Sequence, residues 1–480
     1  MGREAASGYH LHNRATSAVG SDSIWEMSTY LSHPHLRPST MRSTLLILSV
    51  VLPGSSARLQ ADDWPQWMGP QRDSVWREDG IVDRFPKNGL KVTWRAKVQF
   101  GYAGPAVADG RVYVTDYAMG SGRVSNNSGT RDRLTGKERV LCFDVASGKQ
   151  LWNYEYDRAY AISYPSGPRC TPTIDSGKVY TLGAEGDLLC LDAKSGQLVW
   201  SKLLTKEYNT QTPVWGFAAH PLVDGDLLYC VVGGKGSVAV AFNKNTGHEV
   251  WRALTAREPG YCPPTMIEHA GIRQLLIWHP ESLNSLDPKT GKLYWSLRLK
   301  PIFGMSIAAP RQQGRYLFAC GIGNAAVLLE LDNMKPAVKE VWRGKAKTAV
   351  YSANSTPFVD KTSIYGVDTR TGALIGAKLE TGERYWETFQ ATAGGTRRTG
   401  HATAFLVKHD RRFFLFNEAG DLVLANLSPQ SYKELDRFHV LDPTNTTSGR
   451  NVVWSHPAFA ARSLFARNDR ELVRVSLARE

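Results

Sequence analysis

The sequence predicts an all-β fold: an eight-bladed β-propeller of four-stranded antiparallel blades, closed by pairing of the N- and C-terminal strands. Three observations predict it. An eleven-residue phrase recurs, reading CFDVASGKQLW to Trp152, CLDAKSGQLVW to Trp200, AFNKNTGHEVW to Trp251, SLDPKTGKLYW to Trp295 and GAKLETGERYW to Trp386, with Trp342 closing a degenerate copy. Successive tryptophans from Trp152 to Trp386 lie 48, 51, 44, 47 and 44 residues apart, a period that marks a stacked or circular array. No segment sustains a 3.6-residue apolar period, which sets paired-helix solenoids aside.

In chain order, residues 1–40 show neither sheet nor helix periodicity and read as a non-native or disordered leader. Residues 41–61 read as a secretory signal: Arg42, an eight-residue apolar core from Leu45 to Leu52, a Pro-Gly break and small residues before Ala57 or Ala61. That core is too short to span a bilayer. The expected mature chain, residues 62–480, is a single exported domain, periplasmic or secreted, without a transmembrane segment and monomeric.

Lys91-Val92-Thr93-Trp94 is a strand with no blade before it, while the last unit, Trp454 to Leu477, lacks its final strand. Pairing the two closes the ring and leaves no long exposed sheet edge. In each unit between them an upstream hairpin, such as Pro105 to Val114 around Asp109-Gly110, precedes the phrase. Inside the phrase two apolar runs flank Asp-x-x-Ser/Thr-Gly. There Asp or Asn binds the backbone two residues on, and glycine supplies the positive φ that closes a hairpin. A small residue opens each phrase (Cys142, Cys190, Ala241, Ser285, Gly376), ten residues before the tryptophan. The pairing implies indoles lying flat between neighbouring blades, with Trp152, Trp200, Trp251, Trp295, Trp342 and Trp386 as structural docking residues.

The chain carries a formal charge of +13, but its basic residues are scattered through turns and nucleic-acid motifs are missing, so no nucleic-acid partner is expected. Six cysteines could form three disulfides in an exported protein. Cys142 and Cys190 instead hold the small-residue slot, and Cys230 ends a strand-type run, which favours buried thiols. No Cys-x-x-Cys-His occurs, which excludes covalently attached haem, and no zinc spacing appears.

The segments that enter each innermost strand should line one mouth of the ring, and they are rich in aromatic, arginine and histidine residues. Arg169, Trp215, His220, Tyr261, His401, Trp454 and His456 are the candidate ligand-binding shell, suited to a flat, anionic or polyhydroxylated ligand. The alternative is that these side chains plug the channel and satisfy one another. His279 and Glu281 at a turn could form an acid–base pair, although a lone histidine there is more often structural. Gly233-Gly234-Lys235-Gly236-Ser237 resembles a phosphate loop, but a strand follows it, so it reads as a hairpin.

The eleven-residue phrase resembles the tryptophan-docking motif of the quinoprotein, or PQQ-like, eight-bladed propellers, over roughly Trp64 to Leu477. One class in that family comprises PQQ-dependent alcohol dehydrogenases, which sandwich the quinone between a tryptophan and a disulfide of adjacent cysteines and hold calcium beside an aspartate base. This sequence has no Cys-Cys pair, and its mouth segments contain Asn354 but no carboxylate. The other class is the propeller lipoprotein of the barrel-assembly machinery, a docking platform; here no cysteine follows the signal core. The resemblance implies a ligand- or protein-binding scaffold without intact dehydrogenase chemistry. Its partner would be a protein, a small polar or anionic ligand, or a glycan. It has no cofactor or metal residues that can be named. The alternative it implies is a quinoprotein oxidoreductase of the polyvinyl-alcohol type, acting on alcohols with PQQ and calcium.

Overall fold

The computed structural model describes residues 62–479, apart from Gly394 and Thr396. The expected leader and secretory segment lie outside the described residues. Eight four-stranded antiparallel blades form the ring. Blade 1 runs from Ala106–Ala108 to Gln150–Asp157, and blades 2 to 7 start at Thr173, Leu222, Thr265, Arg311, Phe358 and Ala404. Blade 8 takes three strands from the C-terminus, Ala458–Ala460, Ser463–Arg467 and Glu471–Ser476. Its outermost strand, Val92–Lys97, comes from the other end of the chain. The turns joining first to second and third to fourth strands share one face, here called the turn face. The second-to-third turns and the segments entering each blade share the opposite, mouth face.

The repeated phrase is the third strand, its turn and the start of the fourth strand. In blades 1 to 4 the Asp or Asn of the turn, whose place Lys378 takes in blade 6, locks the backbone: Asp192 Oδ1 accepts from Ser195 N at 2.9 Å and Ser195 Oγ at 2.8 Å, Asp144 does the same for Ser147, and Asn243 and Asp287 follow. This holds the next residue's carbonyl outward, towards the preceding blade. The indole of that blade donates to it: Trp94 Nε1 to Val145 O at 2.8 Å, Trp152 to Ala193 O at 3.2 Å, Trp200 to Lys244 O at 3.0 Å. Trp251, Trp342 and Trp386 reach Pro288, Leu379 and Ser428 in the same way.

The turn glycine lies beneath the visiting ring. A Cβ on Gly148, Gly196, Gly247 or Gly291 would stand 2.5–2.8 Å from an indole carbon of the preceding blade, and φ at these positions is +70° to +74°. The small residue that opens each phrase is the cross-strand partner of its own tryptophan, Cys142 opposite Trp152 and Gly376 opposite Trp386. Each such pair is followed by a register shift, a β-bulge that re-aims the ring.

Two junctions differ. Trp295 donates to Gln274 Oε1 of its own blade at 2.9 Å, and the blade 5 turn it would face, Asp332-Asn333-Met334-Lys335-Pro336-Ala337, departs from the repeated phrase. Blade 8 has no third-to-fourth turn, since those strands come from opposite chain ends. Asp436 stands in place of a tryptophan in blade 7, and Arg84 grips it through Nε at 2.7 Å and an Nη at 3.0 Å. All six cysteines are buried free thiols.

The expected cost of crowding a docking turn follows. Gly196→Ala should destabilise the protein by about 2–4 kcal/mol, combining left-handed strain with ring displacement. Gly177→Ala, at a φ of +72° with open space around it, should cost only about 1–2 kcal/mol. Urea-unfolding midpoints of the two variants measure the difference.

Candidate functional site

The hub of the ring is filled by a segment that the blade pattern does not predict. Residues 62–80 enter the channel from the turn face, where Asp109 N donates to Asp63 Oδ2 and Trp64 pairs with Val107 of the innermost strand of blade 1. Ile174 N donates to Pro65 O at 2.8 Å in blade 2. The chain reverses near Met68–Asp73 and returns past blades 5 and 7, where Arg311 donates to the Arg72 and Asp73 carbonyls and Lys408 pairs with Val75. Met68, Arg72 and Ser74 hold φ of 63°, 51° and 58°. Three strained non-glycine residues in so short a loop require firm anchoring on every side.

The loop's tip places Trp67 against two of the sequence candidates. Its indole stacks on His220, with centroids 4.8 Å apart and planes at 11°, and its Nε1 donates to His456 Nε2 at 3.2 Å. His220 and His456 meet edge to face at 6.2 Å. Burial drives both imidazoles towards the neutral form. His220 lies well below the usual imidazole range, with His456 and Arg72 adding to the effect, and His456 is lowered to about 3. The guanidinium of Arg72 lies 5.3 Å from the Trp67 ring and donates to Pro221 O at 2.9 Å and His220 O at 3.3 Å. Burial lowers its pKa to about 10. Among the described residues the hub keeps a pocket of about 30 Å³, lined by Trp67, His220, Tyr261, Asn354 and His456 among others, and a smaller one of about 10 Å³ beside Trp64, Met68 and Phe405.

The other candidates fall into two groups on the mouth face. On one side Trp215 and Tyr261 pack with centroids 5.4 Å apart. Nearby, Arg169 lies 5.2 Å over the Tyr102 ring and spends its guanidinium on the carbonyls of Ser163, Tyr164 and Gly167. On the other side Trp454 Nε1 donates to Glu418 Oε2 at 3.1 Å, beside Arg450, which holds Glu418 at 2.8 Å. His401 sits in that field with its pKa lowered by burial and by Arg450. Tyr164 links the two groups, with its ring 6.0 Å from that of Trp454 and its carbonyl accepting from Arg169. His279 is buried and bonded locally, to Ser282 Oγ at 3.1 Å and to the Glu281 backbone N–H at 3.3 Å.

Carboxylates are absent from the entering segments that the sequence singled out, but the second-to-third turns bring Glu185, Glu418 and Asp469 to the same face. Each is engaged: Glu185 by Ala161 N and Thr212 Oγ1, Glu418 by Arg450, and Asp469 by Gly101 N and Thr444 Oγ1. Blade 1 also extends over the mouth. Its central hairpin, Arg111–Gly122 and Asp132–Asp144, reaches Asn445 through Asn126 at 2.7 Å and Thr212 through Arg131 at 2.9 Å. The signal was the 58-residue gap between Trp94 and Trp152, longer than any later spacing.

A calcium-bound quinone does not suit these residues. Cofactor pockets run to roughly 300 Å³ or more, whereas the pocket between Trp67, His220 and His456 is about 30 Å³. Among the described residues no three His, Cys, Asp or Glu side chains converge on one point. No helix among them is long and apolar enough to cross a membrane.

A family model described as outer membrane protein assembly factor BamB matches residues 136–388 and 279–480. The chain is 22% identical over 284 residues to the outer membrane protein assembly factor BamB of Shewanella oneidensis, covering 55% of this chain and 70% of that protein. It is 29% identical over 169 residues to quinohemoprotein alcohol dehydrogenase ADH IIB of Pseudomonas putida, covering 33% of this chain and 22% of that protein. The chain spans about a quarter of the length of the curated alcohol dehydrogenases it matches. The crystal structure of BamB from Moraxella catarrhalis aligns over 81% of this chain and 97% of its own with a TM-score of 0.53 at 16% identity, a likeness of fold.

The buried histidines carry a pH dependence. Both rings are neutral when folded, so the unfolded chain binds more protons below the ordinary imidazole pKa of about 6.5. Stability is present above that pH and falls as pH drops towards about 3 for His456, by up to about 1.4 kcal/mol per pH unit for each ring. Unfolding free energy plotted against pH between 6 and 4 should lose about one proton's slope in His456→Gln.

Proposed function

The chain belongs to the PQQ-like propeller family described as outer membrane protein assembly factor BamB, and from that premise we propose that it is an exported, monomeric binding scaffold without dehydrogenase chemistry. The observation that carries this reading is the occupied hub. Trp67 and Arg72 of the chain's own N-terminal segment stand where a flat cofactor would have to lie on the axis. Above them the mouth face offers half-buried Trp215, Trp454 and Arg169. Aromatic rings supply rigid contact area, and guanidinium groups supply bidentate donors, the residue types that dominate recognition surfaces. The partner is a protein segment, a polar or anionic small molecule, or a glycan with acidic groups.

The second reading, a quinoprotein alcohol dehydrogenase using PQQ and calcium, is supported by the likeness to ADH IIB of Pseudomonas putida. It requires residues 62–80 to leave the channel and a donor set that the mouth-face carboxylates do not offer as they are paired.

Two measurements separate the readings. After incubation with PQQ and calcium, gel filtration should leave no quinone absorbance on the protein, and ethanol should not reduce a redox dye. Retained absorbance with dye reduction would favour the enzyme. In a tryptophan-fluorescence titration with an array of acidic oligosaccharides and peptides, Trp215→Ala or Arg169→Ala should weaken any ligand that binds by roughly tenfold or more. Unchanged affinities in both variants would remove the mouth from the proposal.

A further inference from the structure

The hydrogen bonds at the hub dictate where two protons sit. Thr171 N–H donates to His220 Nδ1 at 2.9 Å, so that nitrogen is bare and the neutral ring carries its proton on Nε2. Trp67 Nε1–H donates to His456 Nε2, so His456 carries its proton on Nδ1. Neither ring N–H has a hydrogen-bond partner among the described residues, and both rings line the hub pocket. Tyr261 lines it too. Its hydroxyl finds no acceptor in a side chain only 3% exposed, and lies against the Trp215 backbone N–H. A buried hydroxyl without an acceptor costs about 1–3 kcal/mol, so a pocket lined by this hydroxyl and the two imidazoles suits acceptor atoms.

The charge around the pocket has the same sense. Arg72 donates to carbonyl and amide oxygens, and Arg311 to the Arg72 and Asp73 carbonyls; neither forms a salt bridge among the described residues. The Asp73 carboxylate acts on Arg311, whereas no carboxylate acts on Arg72, which leaves positive charge beside the pocket. A cation is therefore disfavoured, and water gains no charge stabilisation there. The volume, about 30 Å³, holds roughly two water-sized atoms, the bulk of two carboxylate oxygens and less than that of any ring.

We propose that the hub pocket binds a carboxylate group, held by the Nε2–H of His220, the Nδ1–H of His456 and the hydroxyl of Tyr261. The carboxylate is either a free small acid or the acidic head of a larger ligand whose body lies in the mouth against Trp215. The inference rests on the reading of the mouth as a binding face and names the chemistry of its deepest point. Since the imidazoles donate while neutral, binding requires no prior protonation. Trp67 is part of the site through the chain's own N-terminal segment, because its indole decides the tautomer of His456.

The test is a titration of the full-length, ¹⁵N-labelled protein followed by long-range imidazole ¹H–¹⁵N spectra and by thermal melting. Four solutes are compared at constant ionic strength: sodium formate, sodium glucuronate, sodium chloride and glucose. The spectra without solute should show the Nε2–H tautomer for His220 and the Nδ1–H tautomer for His456. Formate or glucuronate should shift both rings saturably and raise the melting temperature, while chloride and glucose do neither. Formate alone acting identifies a free small acid; tighter binding of glucuronate identifies an acidic head group. Tyr261→Phe, which removes a hydroxyl without a protein acceptor, should fold normally and weaken carboxylate binding about tenfold. The opposite tautomers, no saturable shift into the millimolar range, an equal response to chloride or glucose, or an unchanged affinity in Tyr261→Phe would overturn the proposal. Mouth ligands still lost in Trp215→Ala under those outcomes would leave the scaffold reading intact.

Discussion

One contact organises this protein: at six of the eight blade junctions an indole N–H reaches a carbonyl in the third-to-fourth turn of the next blade. It runs in a single rotational sense, from Trp94 of blade 8 onto blade 1 and onward. Each turn therefore serves two blades. Its aspartate or asparagine shapes its own hairpin, its carbonyl accepts the neighbour's indole, and its glycine leaves space for the ring. A sequence under these demands must repeat the same residues at the same offsets, because every copy is both donor and receiver. At the turn of blade 5, which departs from the repeated phrase, Trp295 bonds within its own blade instead.

That double duty made the fold legible. Local turn chemistry and an interblade contact were encoded in the same eleven residues, so the period, the blade count and the closing strand pair could be read without coordinates. The tryptophan of the closure, Trp94, was visible as a strand residue, but its role depends on a blade more than 370 residues away in sequence. Arg84, which replaces an indole contact by gripping Asp436, carries no motif at all.

The site was less legible, for a physical reason. Sequence proximity groups residues by blade, whereas the hub groups them by distance from an axis. His220 and His456 were recognisable as mouth residues, yet their partner Trp67 lies in a segment that belongs to no blade and follows no period. Glu185, Glu418 and Asp469 sit in second-to-third turns, which arrive at the same face from the other direction. Trp215 and Trp454 were found because aromatic residues in entering segments stand out, but nothing in their spacing showed that Tyr164, packed on Trp454, would link them.

The outer strand of blade 8 is drawn from residues 92–97 and pairs with residues 471–476. Sheet closure is thus a contact between the earliest and latest parts of the propeller to be synthesised. Seven blades can assemble in order behind the advancing chain, but the circle stays open until the final strand emerges. Loop-closure entropy for so distant a pair must be met late and all at once. Until those two strands meet, the ring is an arc with two unpaired margins.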